Sequence, residues 1–301
     1  MGAELRALRV RIRSIKSTAK ITKAQELIAA SKISRAQARR AASVPYARGI
    51  TSAVSALISH HVGIDHALLN QKPDTARIAV LLITSDRGFC GGYNSNVLRH
   101  GEQLARLLRD QGTEAVFYVT GRRGVEYFQF RDKPMAGHWD GFSGHPTFAA
   151  AAEIGQTLVD AFEQLTAEGG VGEVHIVFTR YVSSLNQSMT VRRILPLEIE
   201  ETAITAAGEP AASYEFEPSP AEVLDSLITQ YVRGRVWNML LESAASEHSA
   251  RRQAMMSATD NAHDLIDRLT RKSNEARQAE VTTELNEIVS GANALTGSAA
   301  E

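Results

Sequence analysis

The placing of proline constrains this chain more than any other feature. Its eight prolines stand at 45, 73, 134, 146, 196, 210, 218 and 220, so residues 1–44 and 221–301 contain none. Proline removes a backbone N–H and crowds the preceding turn, so its absence leaves both ends free to form long helices. At the first end, Leu5, Leu8, Ile12, Ile15, Ala19 and Thr22 recur at steps of three and four. Ala29, Ile33 and Ala36 continue the phase through a polar Glu26. This is a heptad-like seam thinned by small residues. At the second end, Leu227, Tyr231, Leu241, Ala245, Met255, Ala262, Ile266, Leu269 and Ala276 keep a matching register, interrupted by Asn238, His248, Arg252 and Thr259. A helix of about 70 residues is about 105 Å long, beyond any single globular core. Such a helix must pack on another helix or project into a partner.

Between these ends the pattern changes. Residues 77–84 (RIAVLLIT) form a continuous apolar run of buried-strand type, residues 95–111 have helical spacing, and residues 114–120 (EAVFYVT) read as a second strand. Helices are expected over 122–130 and 147–167, and further strands over 173–182 and 188–197, the last two adjacent in the sheet. Strands alternating with helices predict a largely parallel α/β domain. Residues 168–173 (EGGVGE) read as a flexible connection, and 203–220 as a proline-bearing linker back to the last helix. The expected organisation is an N-terminal helix over 1–60, an inserted α/β domain over 75–200, a linker over 201–220 and a C-terminal helix over 221–301 that pairs with the first.

The chain carries 33 Lys and Arg against 34 Asp and Glu, yet residues 1–41 hold eleven cations and only Glu4 and Glu26. Segregated charge of this kind predicts a charged partner. Arg6, Arg9, Arg13, Lys16, Lys20 and Lys23 form a stripe one residue round from the apolar seam, suited to acidic protein, nucleic acid or lipid headgroups. Nucleic acid is disfavoured by the near-neutral total and by the lack of aromatic residues among these cations. A single cysteine, Cys90, rules out an intrachain disulfide framework. No run of 18 apolar residues suggests a membrane span, and the charged N-terminus does not read as a secretion signal.

One stretch has the address of a nucleotide site. Residues 85–94 (SDRGFCGGYN) follow an apolar strand and precede a helix, where glycines can let backbone N–H groups approach phosphate. The spacing fits neither G-x-G-x-x-G nor a phosphate loop ending in Lys-Ser or Lys-Thr. A structural corner is the preferred reading, with Asp86 and Arg87 pairing or capping the following helix. In this reading Gly88, Gly91 and Gly92 turn the chain where a Cβ would clash. An α/β nucleotide-binding enzyme built on this loop is the alternative. Cys90 beside Phe89 reads as a small buried residue, and the histidines at 60, 61, 66, 138 and 145 lack converging partners for a metal. No metal or cofactor site is read from these residues.

Three motifs in order give the chain a family resemblance: KITKAQELIAASK at 20–32, SDRGFCGGYN, and a C-terminal region running from LLESAASEHSARRQAMMSATDN to VTTELNEIVSGANA at 281–294. Together they resemble the γ subunits of F-type ATP synthases. The resemblance implies a long antiparallel coiled coil of the terminal helices carrying an inserted Rossmann-like domain. It further implies a non-catalytic central rotor shaft within a ring of three α and three β subunits. Such a shaft sits beside ε on the membrane c-ring, peripheral to the cytoplasmic face of the plasma membrane. By the same resemblance Arg251, Gln278, Thr282 and Glu284 meet the α/β ring, with Lys20, Lys23 and Lys32 on the opposing helix. Gln25 stands where many relatives carry Met.

Overall fold

The computed structural model describes residues 2–60, 68, 69, 72, 75–197 and 220–297. The expected linker lies outside the described residues up to position 219, as do His61 and His66. Two helices dominate, α1 (Gly2–His60) and α5 (Pro220–Gly297). Between them lie β1 (Arg77–Ile83), α2 (Tyr93–Asp110), β2 (Glu114–Thr120), α3 (Arg122–Phe130), β3 (Gly137–Trp139), α4 (Phe148–Glu163), a single 3-10 turn, β4 (Glu173–Tyr181) and β5 (Gln187–Leu195). The short β3 has no periodicity to announce it and was not expected from sequence. The chain divides into two compact units, Met1–Ile28 with Arg252–Glu301, and Ala29–Arg251.

In the first unit the α1 segment presents the expected seam. Leu5, Ala19 and Thr22 are buried, while Leu8, Ile12 and Ile15 are half-buried. The α5 segment answers with Met255, Thr259, Ala262 and Leu269. The Thr22 and Thr259 hydroxyls meet at 2.7 Å, which fixes the register of two antiparallel helices with a polar contact inside the seam. Glu26 also lies in the seam, and its carboxylate accepts from Lys23 Nζ at 2.9 Å.

The second unit is built on a five-stranded sheet of order β3-β2-β1-β4-β5, parallel except for β5, which runs antiparallel to β4. Alternate side chains of the central strands feed two apolar layers. Ala79, Leu81, Ile83, Ile176 and Phe178 pack with Ile154, Leu158 and Phe162 of α4 and with Ile228, Val232 and Val236 of α5. On the other face Ile78, Val80, Leu82 and Val177 meet Val97 and Leu98 of α2 and Val125 and Phe128 of α3. Burial on both faces explains why β1 reads as an unbroken apolar run.

The helix α1 continues through Pro45. Lateral bonds to α5 on both sides offset the missing backbone donor. Ser43 Oγ donates to Asn238 Oδ1 at 2.9 Å, Tyr46 Oη donates to Gln230 Oε1 at 3.2 Å, and Arg40 pairs with Glu242 at 2.7 Å. Residues 168–173, expected to be flexible, instead form a packed corner. The amides of Gly170, Val171 and Gly172 donate to the carbonyls of Leu165, Ala161 and Arg77 at 3.0, 3.0 and 2.8 Å. Gly169 takes φ +97°, and a Cβ at Gly170 would run into the Gln164 carbonyl. The glycines serve close approach here, which sequence does not distinguish from freedom.

Candidate functional site

In an open α/β sheet the favoured ligand crevice lies at the carboxyl ends of strands where the winding reverses. Here the reversal falls between β1 and β4, so residues 84–92, leaving β1, form one wall of that crevice. The loop is fixed from within: Asn94 Oδ1 accepts from the Ser85 amide at 2.9 Å, and Ser85 Oγ donates to the Arg87 carbonyl at 2.8 Å. Cys90 is buried, and burial raises its thiol pKa. Its packing is that of a small apolar residue.

Asp86 does not cap the helix that follows it, as sequence suggested. Its Oδ1 accepts from the amides of Arg122 at 3.1 Å, opening α3, and of Gly141 at 2.9 Å. Its Oδ2 accepts from the Ser143 amide at 2.8 Å, while Ser143 Oγ accepts from the Asp86 amide at 2.8 Å. Burial alone would raise its pKa. The amides of Gly141, Ser143 and Arg122 and the Ser143 hydroxyl outweigh it and hold the carboxyl below the usual range. The expected use of glycine is corrected as well. Gly91 adopts φ +56°, but Gly88 and Gly92 stay outside the left-handed region, and Phe89 enters it at φ +59°. That fixed turn leaves the Phe89 ring 81% exposed.

The crevice itself is closed by α5. From Ser243 to Ser249 every residue is buried, because Ser and Ala let the helix sit close on all sides. Two residues later Arg251, 8% exposed, donates through Nε to the Gly88 carbonyl at 3.3 Å and through Nη2 to the Arg87 carbonyl at 2.9 Å. Its Nη1 pairs with Glu247 at 2.8 Å and lies 3.3 Å from His248 Nδ1. His248 Nε2 donates to the Gly144 carbonyl at 3.0 Å. These partners select the neutral Nε2–H tautomer. Burial lowers the His248 pKa to about 4, with Arg251, Lys32 and Arg87 adding repulsion. Burial raises the Glu247 carboxyl, opposed by Arg251. A phosphate cradle presents N–H groups to its ligand. Here the loop presents two carbonyl oxygens, and a guanidinium fills the place where the ligand would go.

The comparisons with known proteins agree on one family. A family described as ATP synthase matches residues 4–295. The ATP synthase gamma chain of Acidothermus cellulolyticus is 51% identical over 301 residues, covering all of both chains. That of Thermobifida fusca is 50% identical over 303 residues, covering 100% of this chain and 99% of its own. The chain belongs to the ATP synthase gamma chain family. Among solved structures, a chain of the Euglena gracilis mitochondrial ATP synthase (OSCP, F1 and c-ring, rotational state 3) matches with a TM-score of 0.68 at 16% identity, covering 98% of this chain and 95% of its own. A chain of the Tetrahymena thermophila central stalk and c-ring matches with a TM-score of 0.56 at 20% identity, covering 79% and 99%. At such identities these two matches speak for the fold. The family does not favour the nucleotide-binding enzyme reading of residues 85–94.

Against the gamma chain pattern, the residues singled out by resemblance fall into three environments. In the first unit, the stripe Arg6, Arg9, Arg13, Lys16, Lys20 and Lys23 is exposed, as are Gln25, Gln278, Thr282 and Glu284. Thr282 Oγ1 donates to the Gln278 carbonyl at 2.9 Å, an intrahelical bond that leaves the hydroxyl oxygen free to accept. Lys32 is half-buried and lines a cavity of the second unit. Arg251 is inside, with its nitrogens engaged by the Gly88 and Arg87 carbonyls and by Glu247. Sequence reasoning missed Glu247, His248, Ser143 and the destination of Asp86. The one available signal was SAASEHS, a helical stretch of mostly small residues with no separate polar and apolar faces.

Proposed function

We propose that this chain is the central rotor shaft of an F-type ATP synthase. It links rotation of the membrane c-ring to the conformational cycle of the catalytic β subunits, which make ATP from ADP and phosphate. The carrying observation is the gamma chain match along the full length at 48–51% identity among several bacterial relatives. The paired ends of the first unit suit the task. Two long helices joined by a thin seam form a stiff body, while Lys20, Lys23, Gln278, Thr282 and Glu284 give it chemically different sides. Each β subunit meets a different side and is biased toward a different nucleotide affinity. Exposed cations facing acidic loops contribute about 0.2–1 kcal/mol each, screened by salt, which suits contacts that form and break every turn.

On this reading the chain supplies no catalytic group. It belongs to the peripheral F1 sector beside ε, on the cytoplasmic face of the plasma membrane, with no nucleic-acid partner. None of the described helices is long and apolar enough to cross a membrane. The test is reconstitution. The purified chain should hydrolyse no ATP, and with α and β it should restore turnover at one copy per three β subunits. Hydrolysis by the chain alone, or a stoichiometry of one per β, would overturn the reading.

A further inference from the structure

Beside the Arg251 lock lies a cavity of about 420 Å³, wholly within the second unit. Six cations line it: Lys32, Arg35 and Arg39 from one face of α1, Arg87 from the loop after β1, Arg122 from the start of α3, and Arg251 from α5. Among the described residues only two carboxylates share the lining, and both are already occupied. Asp86 is held by three backbone amides, and Glu247 is paired with Arg251. Among the cations, Arg251 is committed to the lock, Arg122 leans 3.5 Å from Asp140, and Arg39 bonds His145. Lys32, Arg35 and Arg87 have no ion-pair partner among the described residues.

A concave site of this size falls within the range of about 300–1,000 Å³ common to small-ligand pockets. Like charges gathered without counter-charges in a hollow repel one another, and a compact multivalent anion relieves that repulsion more fully than scattered single carboxylates can. We propose that this cavity is a non-catalytic binding site for a phosphate-chain polyanion, with pyrophosphate as its minimal ligand. Lys32, Arg35 and Arg87 contact its oxygens from two sides, and guanidinium groups supply the forked donors that phosphate oxygens favour. The site is distinct from a phosphate loop, because side-chain cations rather than glycine amides hold the ligand. It also goes beyond the rotor function, which requires no such ligand.

The test uses the full-length chain, titrated with sodium pyrophosphate at constant ionic strength by calorimetry, with thermal melting alongside. Saturable binding at one site per chain and a raised Tm are expected. The pair Lys32→Gln and Arg87→Gln should weaken pyrophosphate about tenfold or more, since two charge-assisted contacts are lost. Neither side chain is in an ion pair among the described residues, so the fold should persist, and the melt without ligand checks this. The pair Arg106→Gln and Arg109→Gln removes the same charge from α2 and should leave binding unchanged. ADP binding in line with pyrophosphate assigns recognition to the phosphate chain. ADP binding without pyrophosphate binding overturns the proposal, as does an equal loss in both variant pairs. Absence of saturable binding, or binding only of a glutamate-rich peptide, also overturns it; the latter would mark a protein-docking surface. None of these outcomes depends on the rotor function, which reconstitution tests separately.

Discussion

The sheet core of the second unit and the helix pair of the first use opposite materials. In β1, six consecutive residues from Ile78 to Ile83 are at most 8% exposed, each apolar and each packed on one of two layers. In the helix pair at most every third or fourth residue is buried, and the buried set includes Ala19, Thr22, Glu26, Thr259 and Ala262. Hydrophobic stabilisation scales with apolar area removed from water, so the core is deep and redundant while the pair is a thin line of small and polar contacts. The pair also leaves Ile21, Leu27, Val281, Leu285 and Ile288 between 48% and 67% exposed. A region that must fold unaided fills its interior, and a region that works against partners keeps its surface for them.

Five substitutions test this contrast. The largest effect belongs to the core: Phe162→Ala, at a side chain with no exposure, should cost about 3–5 kcal/mol in urea unfolding of the full chain. A cost below that of the helix-pair variants would remove the distinction. Next is the buried histidine. The unfolded His248 titrates near 6.5 and the folded one near 4, so its contribution is complete above 6.5 and is lost as pH falls through 4. A shift of this size corresponds to on the order of 3 kcal/mol. Glu247 works in the opposite direction, since its raised carboxyl takes up a proton in the folded state as pH falls. Comparison with His248→Gln isolates the histidine, because the amide can still donate to Gly144 and accept from Arg251. The wild type should lose more stability than the variant between pH 6.5 and 4, and parallel profiles would refute the assignment.

In the helix pair, Leu269→Ala should cost about 2 kcal/mol, at the low end of such truncations, because a narrow seam can close over the gap. Hydrogen exchange should show the loss confined to amides of residues 252–290 and 2–28. Thr22→Val and Thr259→Val should each cost about 1 kcal/mol, and the double variant less than their sum, because it removes both partners of one hydrogen bond. Strict additivity would mean that the 2.7 Å contact contributes nothing to register.

The sequence by itself determined what depends on near neighbours. The proline-free ends, their three-and-four spacing and the apolar run of β1 specify helices, seam and central strand, because each signal repeats within a few residues. Cys90 as a buried small residue and β5 beside β4 were legible for the same reason. Three motifs also carried the family. What tertiary structure alone decided was where polar groups end. Asp86 reaches the start of α3, 36 residues on, and Arg251 reaches the Arg87 carbonyl across 164 residues. The Gly170 corner and the six-cation cavity likewise arise only when α1, the β1 loop, α3 and α5 converge. A hydrogen bond or a field of charge depends on distance in space, and no local pattern in a chain encodes which distant elements will supply it.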